Sequence, residues 1–339
     1  MKDVIILFGG TSGERRVSVA SAQNVATRLP GAALWFWSTS GDVHPVDPSE
    51  LQRIERPFEE DFVPAQKAIG GIEAALDRAQ GKTFYLGLHG GTGEDGTLQK
   101  LMEKRRLAFT GSGSDASARA FDKNAAKNIV RLKGVKVADS VVLPQRAPEA
   151  AFAALDQMFT KHARVVVKPV ADGSSVGLHH VKTREDVRKV AATIAKEPDR
   201  AYLAEAFLPG REMTCGVIEQ NGQTRALPPS EVIMDAGRAF DFEGKYLGKG
   251  TREITPADAP PTTIAMVQQT AVAAHEALGC RGYTRTDIIA TDKGVVYLET
   301  NTLPGMTKAS FIPQQLAAAQ IDVTAFLLEQ LTIAKARYG

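Results

Sequence analysis

The chain has 339 residues, 43% of them hydrophobic and 24% charged, with a formal net charge of +2. That length supports more than one domain with its own core, and the proportions exclude a largely disordered chain. So small a charge provides no broad basic field for nucleic acid, and no stretch approaches the ~18 apolar residues of a membrane-spanning helix.

Val4 to Phe8 is a continuous apolar run ending in Gly9-Gly10, the pattern of a buried strand entering a tight turn. Ser18 is placed to cap a helix that Pro30-Gly31 stops, and Ala33 to Phe36 then reads as the next strand, which makes a βαβ opening. The intervening Gly9-Gly-Thr-Ser-Gly-Glu14 is a glycine-rich loop where open α/β sheets bind ligands; Glu14 is equally suited to a helix first turn. Residues 41–65, rich in proline, read as a loop-rich connection, followed by a helix over 66–79. Thr83 to Leu88 is a strand that delivers a second glycine-rich loop, His89 to Gly96, ahead of a helix from Thr97 to Lys104. Neither this loop nor Thr110-Gly-Ser-Gly113 matches a P-loop or a dinucleotide fingerprint.

One helix after Gly113 carries Asp122-Lys123 and Lys127, with the lysines four apart on what is ordinarily a solvated face. Strand character resumes over 135–142, and Pro148 to Lys161 is helical. In Arg164 to Val170, Lys168 lies on an apolar strand just before Asp172-Gly-Ser-Ser-Val-Gly177, a composition that folds over phosphates but also suits a plain surface hairpin. Thr183 and Asp186 have the spacing of a capping box for a helix to about 196. Strands follow over 202–207 and 211–218, with Glu205 a charge inside an apolar run that needs a partner. Residues 230–256 lack periodicity and read as a lid, before a helix from Pro260 to Leu278; the chain ends in helices with Pro313 as a start signal. Cys215 and Cys280 have no metal-ligand or disulfide spacing, so the expectation is reduced thiols in a cytoplasmic protein.

Residues 281–306 read as two strands joined by a turn. A three-residue loop, Asp292-Lys-Gly294, sets Asp287 opposite Glu299 and Arg285 opposite Asn301, all on one side. Opposed carboxylates repel unless neutralised, so this face suits a magnesium ion; it is also compatible with a surface Arg285–Asp287 salt bridge beside a solvated Glu299.

Taken together, these motifs resemble the D-alanine–D-alanine ligases of the ATP-grasp superfamily. The resemblance runs through Gly9 to Glu14, His89 to Gly96, Asp122-Lys123, Val167-Lys-Pro169 with Gly173 to Gly177, Gly210-Arg-Glu212, Lys245-Tyr246, Arg285-x-Asp287 and Leu298 to Thr307. It implies an α/β and α+β fold: a Rossmann-like N-terminal domain (1–113) followed by the two-lobed ATP-grasp fold, a central small domain (114–204) and a C-terminal domain with metal site and lid (205–339). The implied reaction joins two D-alanines through a D-alanyl phosphate with ATP and two Mg²⁺ ions, Mn²⁺ being an alternative metal, for peptidoglycan precursor synthesis. A homodimer is implied as well, with no nucleic-acid or membrane partner.

The same resemblance implies roles by position. Lys123, Lys168 and Lys245 would hold the triphosphate with Ser174 and Ser175, and Glu205, Phe207, Leu208 and Glu212 the adenosine. Asp287, Glu299 and Asn301 would bind metal. Arg285 and the Gly305 backbone would stabilise an oxyanion, while Glu14 and His89 would serve the first substrate and Ser310 and Phe311 the second. Ser174 and Tyr246 would tie the lid to Glu14. Arg16 stands where the family often has Glu, Phe242 where Tyr is common, Ala206 where Lys is frequent, and Phe311 where Leu is usual. Phe311 leaves open a relative that makes another D-alanyl dipeptide or a depsipeptide.

Overall fold

β1 (Val4–Gly9) is buried along its whole length and pairs in parallel with β2 (Ala33–Trp37) and β5 (Thr83–Leu86). The structure is a computed structural model that describes residues 1–171, 173, 177–234 and 251–337. With β3 (Asp42–Val46), β4 (Gly70–Gly71) and β6 (Ala108–Phe109), these strands form a sheet in the order β4-β3-β2-β1-β5-β6. A second sheet is antiparallel, β7-β10-β8-β9, built from β7 (Ser140–Leu143), β8 (Val165–Pro169), β9 (His179–Val181) and β10 (Tyr202–Ala206). The third runs β14-β13-β11-β15-β16, with β12 beside β11. Its strands are β11 (Arg211–Gln220), β12 (Gln223–Ala226), β13 (Ser230–Met234), β14 (Thr251–Ile254), β15 (Tyr283–Thr291) and β16 (Gly294–Asn301).

Several local expectations are corrected. The first helix spans Arg15–Arg28, so Ser18 lies inside it rather than at its cap. Ser18 Oγ accepts the Gly9 N–H at 2.7 Å and donates to the Gly87 carbonyl at 2.5 Å, fixing the helix to the ends of two strands. The connection expected over 41–65 contains β3, because a turn with Gly41 at φ +92° folds the chain back onto β2. The helix expected over 66–79 is confined to Ile72–Asp77, since Gly70 and Gly71 pair with β3. Lys123 begins a separate helix (Lys123–Leu132), whose N-cap Asp122 accepts the Ala125 N–H at 2.8 Å. Residues 230–234 and 251–254 are strands rather than irregular chain. The Thr183–Asp186 capping box is present as expected.

The first and third sheets share one core. Phe8, Phe36 and Tyr85 pack in the same apolar cluster as Tyr283, Met306, Ile312 and Phe326. Inside it the Tyr85 and Tyr283 hydroxyls lie 3.1 Å apart. Helices Ser114–Phe121 and Lys123–Leu132 pack with helix Pro261–Leu278 around Tyr297 of β16, so these segments lie against the third sheet. No single described helix is long and apolar enough to cross a membrane.

Candidate functional site

β15 and β16 carry the centre of the site, and their register differs near the turn from the one expected. Thr291 pairs with Gly294, so the loop has two residues, Asp292 and Lys293. Leu298 is then an extra residue in β16: Ile288 faces Tyr297, but Asp287 faces Glu299. Such a bulge moves every later pair by one position. The two departures cancel, and Asp287 opposes Glu299 and Arg285 opposes Asn301 as the three-residue loop would have arranged them.

These four side chains border a cavity with about 1200 Å³ of empty space, part of it open to solvent, together with Glu212 and Thr214 of β11. Arg285 forks onto Asp287, Nε to Oδ1 and a terminal nitrogen to Oδ2, both at 3.0 Å. Thr214 Oγ1 donates to Asp287 Oδ1 at 2.5 Å, and Lys123 Nζ lies 3.6 Å from Glu299 Oε2. The Arg285–Asp287 pair is therefore real, but Asp287 is 9% exposed, so it is no surface salt bridge. Two carboxylates and the Asn301 amide offer hard oxygen donors of the kind magnesium takes, with phosphate and water completing its coordination. Among the described residues no group of three or more His, Cys, Asp and Glu is arranged to hold a metal.

On the other wall stands Glu14. A Cβ on Gly90 or Gly173 would come within 2.4 Å of its Oε2, so a side chain at either position would have to displace the Glu14 carboxylate, and Gly90, at φ +64°, is also in a backbone region that favours glycine. Behind Glu14, the first helix and the loop after β5 hold the backbone of residues 302–307. His89 Nδ1 donates to the Leu303 carbonyl at 2.7 Å, and His89 Nε2 lies 3.0 Å from Ser21 Oγ. Burial holds His89 below the usual histidine range, with Glu14 opposing, and both ring nitrogens are occupied by the protein. Ser21 Oγ accepts the Met306 N–H at 3.2 Å, and Asn24 Nδ2 donates to the Met306 carbonyl at 2.6 Å. Glu94 accepts N–H bonds from Gly90, Thr302 and Leu303 at 2.9–3.1 Å. Burial, with Glu14 nearby, pushes its pKa up to about 7. Gly305, in the loop so held, faces Ser310: a Cβ there would come within 2.7 Å of Ser310 Oγ. Phe311 begins the next helix, and the Arg285 guanidinium lies 5.8 Å from its ring centre.

Beyond the cavity, the second sheet contributes a buried ionic triad. Glu205 on β10 receives a 2.6 Å hydrogen bond from Lys127 Nζ, and Lys168 Nζ of β8 lies 3.0 Å from its other oxygen. Lys127 is 1% exposed, which corrects the expectation of a solvated face. Burial opposes charge on all three. It holds Lys127 below the lysine range despite Glu205, whereas the two lysines hold Glu205 below the carboxylate range and Glu205 with Glu299 raises Lys168. Phe207 follows β10, its ring 3.7 Å beneath the Arg164 guanidinium, and Leu208 comes next. Ser174, Ser175, Phe242, Lys245 and Tyr246 lie outside the described residues. Both cysteines are buried, and burial pushes each thiol up to about 12, so neither is poised as a nucleophile.

Sequence reasoning missed Glu94, Lys127, Ser21, Asn24 and Phe58, the last of which also borders the cavity. The lone charge at Glu205 signalled that a polar ligand or a salt-bridge partner was needed, without identifying Lys127 and Lys168. Glu94 lay in plain view within a glycine-rich loop.

Family models described as the N-terminus and the C-terminus of D-ala D-ala ligase match residues 3–112 and 129–332. A D-alanine--D-alanine ligase of Leptospira interrogans is 36% identical over 95% of both chains, and one of Acidiphilium cryptum is 36% identical over 96% of both. Among solved structures, the D-alanine-D-alanine ligase of Coxiella burnetii superposes with a TM-score of 0.79 at 25% identity, covering 99% of this chain and 94% of that one. VanG D-Ala:D-Ser ligase of Enterococcus faecalis gives a TM-score of 0.80 at 26% identity, covering 98% and 99%.

Proposed function

The chain belongs to the D-alanine–D-alanine ligase family, and on that premise we propose that it joins two D-alanine molecules with consumption of ATP. The first D-alanine carboxylate attacks the ATP γ-phosphate, giving D-alanyl phosphate and ADP. The unprotonated amine of the second then attacks the acyl carbon and expels phosphate, leaving the dipeptide. The observation that carries this reading is the meeting in one cavity of Glu14, Arg285, Ser310 and the Asp287–Glu299 pair, contributed by distant parts of the chain.

In this reading Glu14 takes the first ammonium, and the N–H of Gly305 with Arg285 stabilises the oxyanion formed in the second step. Arg285 is already oriented by its fork onto Asp287. Ser310 takes the second carboxylate beside Phe311. His89 and Glu94 act from behind, holding the 302–307 backbone in place. Lys123 and Lys168 take phosphate oxygens, and Glu205, Phe207, Leu208 and Glu212 the adenosine. When Lys168 turns to a phosphate, Lys127 still compensates Glu205, so the buried carboxylate is never left alone. Asp287, Glu299 and Asn301 would hold magnesium, which reduces repulsion between carboxylate and triphosphate. Ser174, Ser175, Lys245 and Tyr246 would complete the phosphate site and lid.

We divide the chain into the three domains expected, 1–113, 114–204 and 205–339, each built around one sheet, with the helices of 114–132 bridging to the third. A homodimer in the cytoplasm, serving peptidoglycan precursor synthesis, completes the proposal. Phe311 supports a second reading, in which D-serine or a D-hydroxy acid fills the second subsite. Incubation with ATP, magnesium and D-alanine, with ADP assayed and products identified by mass, tests both. Absence of any D-alanine-dependent ADP release would overturn the ligase reading, and a mixed product as the main one would favour the second.

A further inference from the structure

The helix that follows Glu14 opens with Arg15 and Arg16 and has no acidic residue in its first turn. Two cations at a helix N-terminus oppose the helix dipole. They are offset from outside the helix: Asp61 Oδ1 accepts a hydrogen bond from Arg15 and another from Arg16, each at 3.0 Å. The hydrogen bond from Arg16, with Arg15 adding, holds the Asp61 carboxyl below the usual carboxylate range. The adjacent Phe62 is buried edge-on against Phe8 and Phe36, with ring centres 5.8 and 4.9 Å apart. One end of the segment is thus anchored both by charge and in the core. Before it, the N–H groups of Glu59 and Glu60 donate to the Arg56 carbonyl at 2.9 and 3.0 Å, closing a turn. Phe58, within that turn, borders the same cavity as Glu14 and Val17.

We propose that Phe58 is a specificity-determining residue for the first amino acid, held at the wall of its subsite by a clamp in which Asp61 grips Arg15 and Arg16. This deepens the ligase reading and rests on it. Glu14 fixes the ammonium of a small D-amino acid, and Val17 and Phe58 bound the space left for its side chain, so a methyl group is accepted and a longer chain is obstructed. Asp61 is a positioning residue, because its contacts are to the two arginines. A Glu at position 16 would repel Asp61, so the double clamp depends on Arg16.

The test compares the native protein with Phe58→Ala, Phe58→Leu and Asp61→Asn. D-alanine and D-2-aminobutyrate are supplied with ATP and magnesium, and products are sequenced by fragmentation to identify the residue in first position. In Phe58→Ala, kcat/KM for D-2-aminobutyrate relative to D-alanine in that position is expected to rise ~10-fold, about what one methylene is worth in an apolar pocket. Phe58→Leu keeps most of the volume and falls between, which preserves the test if the alanine variant does not fold. Asp61→Asn is expected to raise the first-site KM more than it lowers kcat, and Asp61→Glu to restore it in part. An active native ligase whose first-position selectivity is the same in the Phe58 variants overturns this proposal alone. A native protein inactive with D-alanine overturns it together with the ligase reading.

Discussion

Lys127 and Lys168 reach the same carboxylate, yet their replacement should have opposite consequences. In Lys127→Met, Glu205 loses its 2.6 Å hydrogen bond at a position where Lys127 is 1% and Glu205 3% exposed. Removing one partner of a buried ion pair costs about 3–5 kcal/mol when the remaining charge is uncompensated; with Lys168 still 3.0 Å away, we expect about 2–3 kcal/mol. Lys168→Met leaves the Lys127 bond intact, so its stability loss should be about 1 kcal/mol. It removes a charge-assisted phosphate contact worth about 1.5–3 kcal/mol, which weakens ATP about 10- to 150-fold. Urea denaturation without nucleotide measures the first quantity, and the dependence of ADP release on ATP concentration measures the second. Native-like stability of Lys127→Met, or unchanged ATP dependence of folded Lys168→Met, would refute the division of labour.

Three further outcomes are expected. Glu299→Gln should abolish most magnesium-dependent turnover while changing stability without metal by less than about 1 kcal/mol, since relief of the repulsion with Asp287 offsets the weakened 3.6 Å contact to Lys123 and the lost attraction for Lys168; a magnesium titration of ADP release checks it. Glu94 and His275 should act on stability with opposite pH slopes. Glu94, raised by burial to about 7, binds its proton more tightly in the native state, so its contribution of about 3 kcal/mol is present below pH 4.5 and lost as pH rises to 7. Burial lowers His275 to about 4, so its similar contribution of about 3 kcal/mol is present above pH 6.5 and lost as pH falls to 4. Denaturation from pH 4.5 to 7 should show the slope becoming more positive in Glu94→Gln and more negative in His275→Gln; equal slopes in both variants would contradict the burial argument. Gly96→Ala should destabilise by more than about 2 kcal/mol, because φ is +93° and the new Cβ would come within 2.3 Å of the Ser114 carbonyl oxygen; thermal denaturation decides.

The sequence by itself determined the local elements whose signals are carried by a few neighbouring residues. The β1 run, the Thr183–Asp186 capping box and the Thr97–Lys104 helix form as read, because burial period and capping are local properties. It also determined that Asp287 and Glu299 oppose each other, although by a turn that does not form. A two-residue loop plus the Leu298 bulge gives the same pairing as a three-residue loop, and composition near the turn does not separate them. Tertiary structure alone decided the state of the charges. Lys127 is buried because Glu205, on a strand of another sheet, faces it, and helix spacing contains no information about that strand. Burial raises the Glu94 pKa to about 7 and lowers that of His89 because the first helix and the loop after β5 close over the 302–307 backbone, removing water that the isolated loop would have kept. The clamp of Asp61 on Arg15 and Arg16 is likewise invisible in sequence, since the folding back of β3 on β2 is what brings that segment to the start of the helix. Local patterning selects strands and helices, whereas desolvation and charge pairing depend on which elements meet.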